Sequence, residues 1–298
     1  MTILTHHHGA VAKLVHYLSL LCRDPVELDD RLCARVQIKT QGDSCAYLYP
    51  TECWHDAVER LASTLGGELH SILSEVTLSQ IESAVLSRID KLPTDRPFAL
   101  FFNSILSLAR FCYVACRLLK PTTVAETGVC YGAASAFLLQ ALEVNGKGHL
   151  YSIDLPPLHR NPHQWVGVLV PPSLRSRWVV KLGTSKRHLP ALLREVGPVD
   201  MFFHDSLHTY SNMSLEFRLV EQYLSSLSLV VADDIDGNAA FRDWTARTRP
   251  NIVSCIQESD KQSLFGFAVN LTDGAREVSA GGVSLQSGQT STRPVIQL

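Results

Sequence analysis

Hydrophobic positions recur at two different spacings along the chain. Over residues 1–95 they fall three and four apart. Val11, Leu14, Val15, Leu18, Leu21 and Cys22 make one stripe, and Val58, Leu61, Ala62 and Leu65 a second, which Leu69, Ile72, Leu73 and Val76 continue beyond Gly66-Gly67. Leu78, Ile81, Val85, Ile89 and Leu92 make a third. This is the period of helices with one apolar side. The segment 1–95 therefore reads as a helical cap, with its spare apolar face assigned to contact between copies of the chain. Between the first two stripes the pattern is mixed, and Arg35-Val-Gln-Ile-Lys39 is a candidate short strand. Leu92-Pro93-Thr94-Asp95-Arg96-Pro97 frames a polar turn with two prolines and marks the internal boundary.

Beyond it, short β-branched runs alternate with helical patterns. An apolar helix over 98–119 leads into Thr122–Val124, then a glycine turn and a helix from Ala133 to Leu142. Further strands are expected at 148–153, 178–182, 199–203 and 228–232, with helices at 189–195 and 214–227 between them. Ile252–Ile256 and Leu264–Val269 would close the sheet. Such alternation predicts an α/β fold over 96–271, a parallel sheet with helices on both faces. From 272 to 298 the composition turns to Gly, Ser, Thr and Gln, which predicts a weakly ordered tail.

Composition narrows the function classes. A hydrophobic fraction of 46% with 19% charged residues describes a globular chain, and a net charge of −2 gives no electrostatic case for a nucleic-acid partner. The eight cysteines contain no C-x-x-C pair. Cys112 and Cys116, four apart on a helical pattern, share a face as small buried hydrophobes. With no signal peptide visible, reduced thiols in the cytoplasm are expected. Asn103, Arg110 and Arg117 interrupt the apolar run at 98–119, so it predicts a buried helix and no membrane span.

The candidate chemistry sits at the strand ends. Thr122–Ser135 reads strand, turn, helix around Glu126-Thr-Gly128-Val-Cys130-Tyr131-Gly132. Glycines there let backbone approach a ligand, and the helix start offers free N–H groups; a plain strand-to-helix turn has the same form. Four strands then end in acids: Glu126, Asp154, Asp205 and the pair Asp233-Asp234. In an open parallel sheet ligands bind beyond these ends, and clustered carboxylates repel unless a cation or donors compensate. Asp154 lies at the reach of an acid that accepts bonds from ribose hydroxyls. Gly183-Thr184-Ser185 stands where an adenine would be framed. The three remaining acids suit Mg²⁺ or another divalent cation. His208, three residues beyond Asp205, offers a base, although capping the next helix would use it equally well. His159, His163 and Trp165 fall in a segment at 155–177 that is expected either as a lid or as a surface loop.

These motifs, in order, resemble a known family. The acid-first E-x-G-x-x-x-G turn, then Trp165…Val170-Pro171…Arg177-Trp178, Leu182-Gly-Thr-Ser185, Phe203-His-Asp205-Ser-Leu-His208-Thr-Tyr210 and Val230-Val-Ala-Asp233-Asp234 are similar to small-molecule class I S-adenosylmethionine (SAM)-dependent methyltransferases, the macrolide and sugar O-methyltransferases among them. The resemblance implies a Rossmann-like sheet and SAM bound by Glu126, Gly128, Tyr131, Gly132, Asp154, Thr184, Ser185 and Asp205. It also implies a metal on Asp205, Asp233 and Asp234, and catalysis by Asp205 and His208 on a hydroxyl of a small molecule, a sugar or a polyphenol of secondary metabolism. Three positions depart from the family pattern. Cys130 replaces the middle glycine, Leu207 the aspartate that precedes the histidine, and Ser225-Ser226-Leu227-Ser228 a Pro-Gly-Gly. A metal-independent N- or O-methyltransferase using His208 as base, or a non-catalytic SAM-fold binding protein, remains the alternative. The expected partners are a small substrate and further copies of the chain as a homodimer or higher oligomer, with neither nucleic acid nor membrane.

Overall fold

Runs of Val, Ile, Thr and aromatic residues form extended chain because branched and flat side chains pack well on a pleated surface. Five such runs are the parallel strands β1 (Thr123–Thr127), β2 (His149–Asp154), β3 (Trp178–Leu182), β4 (Val199–His204) and β5 (Leu224–Ala232). The computed structural model describes residues 15, 17–41, 48–100, 106–159, 161–257 and 263–271. Two more strands, β6 (Ile252–Gln257) and β7 (Leu264–Leu271), pair antiparallel and complete a seven-stranded sheet in the order β3-β2-β1-β4-β5-β7-β6. The chain steps outward from β1 in both directions, so the carboxyl ends of β1 and β4 flank a crevice.

Alternation along each strand fills both faces. Val124, Met201, Phe203 and Val231 point to one side, under helices Trp54–Leu65 (α2), Val76–Ile89 (α4), Leu106–Leu119 (α5) and Ala133–Asn145 (α6). The short helix Leu69–Leu73 (α3) adds Ile72 to that core. Ala125, Phe202, Val230 and Ala232 point to the other side, under Ser185–Val196 (α7), Tyr210–Val220 (α8) and Ala240–Thr248 (α9). The stripes at Val58–Ala62 and Leu78–Val85 are buried, as are Cys112 and Cys116. Among the described residues no helix is long and apolar enough to cross a membrane.

Four local expectations change. Arg35–Lys39 is part of a helix, Pro25–Gln41 (α1), because Asp24 caps its start, Pro25 opens it, and its polar residues find partners across the sheet ends. The helix expected to run to Leu227 stops at Val220; a 3₁₀ turn at Glu221–Tyr223 follows, and Leu224 and Leu227 belong to β5. Phe98 and Ala99 precede the buried helix and are not part of it. The segment 155–177 divides: Leu155 and Leu158 line the cavity at the strand ends, whereas Trp165, Leu169, Val170 and Leu174 are buried in the core beside α6. The early stripe at Val11 and Leu14, His6–His8 and the tail 272–298 lie outside the described residues.

Phe111 shows what holds the α5 layer to the sheet. Its ring is fully buried, with centroids 5.1 and 4.9 Å from Phe265 and Phe267 of β7. Phe111→Ala is expected to destabilise the fold by about 3–5 kcal/mol. Urea denaturation measures this, and a loss below about 1 kcal/mol would show that the site collapses around the smaller side chain.

Candidate active site

The carboxyl ends of the strands open into a cavity of about 980 Å³. Its walls include Gly128, Asp154, Thr184, Ser185, Asp205, His208, Asp233 and Asp234, all expected from the sequence. Glu126, Tyr131 and Gly132 are absent from the wall. The roof is α1, which the sequence reading missed. Only Asp30 is buried in this helix, and polar bonds tie it down on three sides. Asp30 accepts from Thr184 Oγ1 at 2.8 Å and from Lys186 Nζ at 3.2 Å. Arg31 donates to the Pro156 carbonyl at 2.7 Å, while Gln37 accepts from Thr209 Oγ1 at 2.9 Å. The capping signal Asp24-Pro25 was the available clue; the apolar pattern gave none.

The loop after β1 is built by protein packing. At Gly128 (φ +86°) a Cβ would stand 1.9 Å from the Asp205 carbonyl oxygen, so the glycine lets the ends of β1 and β4 meet. At Gly132 (φ +89°) it would stand 2.8 Å from Gly167 Cα. Both glycines serve approach between chain segments, and Gly132 makes no approach to the cavity. Cys130 keeps the left-handed backbone (φ 50°) expected of a glycine at its position. Tyr131 is fully buried, with its hydroxyl accepting from Phe98 N–H at 2.9 Å and donating to Phe98 C=O at 2.7 Å, so it braces the loop.

Glu126 has the same bracing role. It accepts bonds from Ser135 Oγ of α6 and Ser152 Oγ of β2, at 2.9 and 2.5 Å. Burial pushes its carboxyl up to about 8 against those hydroxyl bonds, and Asp205 and Asp154 add to the rise. Asp154 faces the cavity. Its Oδ1 accepts from the Val129 and Cys130 N–H groups at 2.9 and 3.3 Å, while its buried Oδ2 has no partner. Burial lifts its pKa to about 6 in spite of those N–H bonds. A buried acceptor left open toward a cavity fits a hydroxyl-bearing ligand.

The acid cluster differs from expectation in one member. One ligand atom from each of Asp205, His208 and Asp233 lies within 4.8 Å of the others. Asp234 is not in that set. Its left-handed backbone (φ 48°) directs the carboxylate to His208 Nδ1, at 3.1 Å. His208 Nε2 is 3.6 Å from Asp205 Oδ1. Burial lowers the pKa of the ring, but the neighbouring carboxylates of Asp205 and Asp234, the latter within hydrogen-bonding distance, outweigh that and raise it to about 10. The raised value favours the charged ring; a cation taken on Nε2 would displace that nitrogen's proton and leave Nδ1–H on Asp234. Asn238 caps α9 through Ala240 N–H at 2.8 Å and donates to the His208 carbonyl at 3.3 Å. Tyr210 is exposed and donates to Asp243.

Beneath the cluster lies a group the sequence reading passed over. Glu216 of α8 is fully buried and accepts from Thr127 Oγ1 (2.5 Å), from Ser206 Oγ (2.7 Å) and from Asn212 Nδ2 (3.0 Å). The His204 ring, also fully buried, meets it through Nδ1 at 2.6 Å. Burial would raise its pKa, yet the His204 ring and the hydroxyl donors hold it down at about 2. A Glu on the inner face of an amphipathic helix was the available signal.

A sheet of this order, with an acid-lined crevice at its switch point and a buried carboxylate ending β2, is the Rossmann-like arrangement that binds ligands beyond its strand ends. Residues 125–235 match the family described as a methyltransferase domain. No curated protein matches the chain. Similar solved structures include the O-methyltransferase TomG from Streptomyces achromogenes, involved in tomaymycin synthesis and in complex with SAM. It is 17% identical, covers 76% of this chain and 100% of that one, and has a TM-score of 0.49. The O-methyltransferase from Bacillus cereus in complex with SAH is 14% identical over 73% of this chain and 98% of that one, with a TM-score of 0.48. SAH-bound Podospora anserina methyltransferase PaMTH1 is 10% identical over 76% and 99%, with a TM-score of 0.46.

The raised pKa of Glu126 makes stability depend on pH. The folded chain holds this proton to about 8, whereas an unfolded glutamate releases it near 4.5. The stabilisation is complete below the lower value and is lost as pH rises through the upper one. Glu126→Gln removes that slope, so denaturation at pH 5, 6, 7 and 8 should give a flatter profile than the parent. Equal slopes would place the proton elsewhere.

Proposed function

We propose that this methyltransferase acts on a hydroxyl of a small molecule, a sugar or polyphenol of secondary metabolism, with a divalent cation held at Asp205, Asp233 and His208. The observation that carries the reading is the meeting of those three ligand atoms within 4.8 Å. Carboxylate oxygens suit Mg²⁺ and Mn²⁺, and an imidazole in the set widens the choice toward Mn²⁺ and Zn²⁺. When bound, SAM supplies an electrophilic methyl on a sulfonium, and the cation stabilises an acceptor oxygen as its anion. A hard ion favours oxygen over a neutral amine as the nucleophile. Asp154 Oδ2 is assigned to the ribose hydroxyls, and Gly128, Thr184 and Ser185 to the cofactor side of the cavity. Because Asp30 already takes the Thr184 hydroxyl, Thr184 would meet the cofactor through its backbone. Asp234 orients the His208 ring. A volume of about 980 Å³ is at the upper end for a small-molecule site, with room for cofactor and acceptor together.

A metal-free transferase is the second reading. It is supported by His208, whose charged ring can itself balance Asp205 and Asp234. The assay that separates the two follows SAH release from SAM with sugars and catechol-type polyphenols as acceptors. Excess chelator should reduce turnover to background, and Mg²⁺ or Mn²⁺ should restore it. Asp205→Asn should slow transfer by about 10²–10³-fold while SAH affinity stays close to the parent's. Asp154→Asn should weaken SAH binding about tenfold, the equivalent of one hydrogen bond to a charged group. Full turnover in chelator together with an active Asp205→Asn would sink the metal reading.

The chain is also proposed to act as a cytoplasmic homodimer. Val15, Leu18 and Leu21, with Val26, Leu32 and Val36 on α1, are between 47 and 59% exposed and form an apolar surface next to the roof. Light scattering should show a mass of twice 33.0 kDa, and Leu18→Glu with Val36→Glu should halve it. A parent that is monomeric at micromolar concentration would exclude this assembly.

A further inference from the structure

Asp205 sits between two residues held by one carboxylate. His204 Nδ1 lies 2.6 Å from Glu216 Oε2, and Ser206 Oγ donates to Glu216 Oε1 at 2.7 Å. His204 ends β4 and Ser206 stands in the bend beyond it, so Glu216 holds the residues on both sides of Asp205, whose side chain lines the cavity. The surroundings tighten the hold. Asn212 Nδ2 bonds both Glu216 Oε1, at 3.0 Å, and the Leu207 carbonyl, at 3.1 Å. The Asp205 N–H itself donates to Thr127 C=O at 2.7 Å, and the His204 ring meets the His208 ring at a centroid distance of 5.4 Å.

We infer that Glu216 is the positioning residue of the site. By gripping His204 and Ser206 it fixes the direction of Asp205, and through the His204 ring the place of His208. The inference rests on the proposed role of Asp205. Glu216 reaches neither cofactor nor acceptor; it lies under the floor of the cavity, fully buried. A neutral amide cannot replace it in full, because one of its two atoms would present N–H to the groups that now donate there.

The test separates this role from plain stabilisation by comparing bonds to the same carboxylate. Glu216→Gln and Ser206→Ala loosen the grip on 204–206, whereas Thr127→Val removes a hydroxyl bonded to Glu216 and leaves the grip intact. Full chains loaded with SAH are titrated with Mn²⁺ by electron paramagnetic resonance, and the His208 ring nitrogens are followed by ¹⁵N NMR. Glu216→Gln should weaken Mn²⁺ binding about 10–100-fold and shift the His208 Nε2 resonance. Ser206→Ala should move both in the same direction, and Thr127→Val should leave Mn²⁺ affinity within about twofold and the resonance in place. If Glu216→Gln does not fold, Ser206→Ala decides. A parent that takes up no Mn²⁺ removes the proposed cation, and the resonance alone then settles the positioning claim. Folded variants with the parent's resonance overturn it, and so does a Thr127→Val that shifts it as much.

Discussion

An ionised carboxylate buried away from water is costly by several kcal/mol unless its oxygens are filled by donors. Glu216 meets that requirement with side chains from β1, β4, the loop beyond β4 and its own helix. Each donor gives up some freedom to do so, and together they fix where three strand-end segments stand. The segments above this carboxylate inherit its geometry: the closeness of Gly128 to Asp205, the direction of Asp205, and the place of the His208 ring over His204. The pair is deep enough that solvent screening does little to weaken it.

Above that floor the charges sort themselves by environment. Glu126, buried with two serine hydroxyls, keeps its proton at neutral pH, while Asp154 is raised less because two backbone N–H groups stabilise its anion. The carboxylates of Asp205 and Asp234 raise the pKa of His208. Groups of one chemical type thus take different states through burial and neighbours alone. The crevice that results is rich in carboxylates, which suits a ligand bearing positive charge.

The roof follows a different physical logic from the core. Helices α2 to α6 and the helices on the opposite face bury apolar side chains, so their positions are set by packing. Helix α1 buries only Asp30 and is held through polar ties to loops after β2, β3 and β4. Such ties exchange readily with water, each with a modest net worth of about 1 kcal/mol. The roof is therefore the part of the cavity wall held by the most readily exchanged contacts.

Much of the architecture was legible in the residues because it rests on local periodicity. The stripes around Leu61 and Ile81, the β-branched strands and the helix after Gly132 all follow from which positions must avoid water. The acids at the strand ends were legible too, since parallel strands deliver their last residues to one rim. What the sequence could not show is which way each side chain turns once there. Both Asp233 and Asp234 line the cavity, yet Asp233 joins Asp205 and His208 in one set of ligand atoms while Asp234, with its left-handed backbone, pairs with His208 Nδ1. Glu126 and Tyr131 left the cavity to brace the loop, and a stretch with strand-like composition at Arg35–Lys39 became a helical roof. These choices depend on partners distant in sequence, Ser152 for Glu126, Phe98 for Tyr131, Thr184 for Asp30. Only the folded chain brings those partners within hydrogen-bonding distance, and so only tertiary structure decides them.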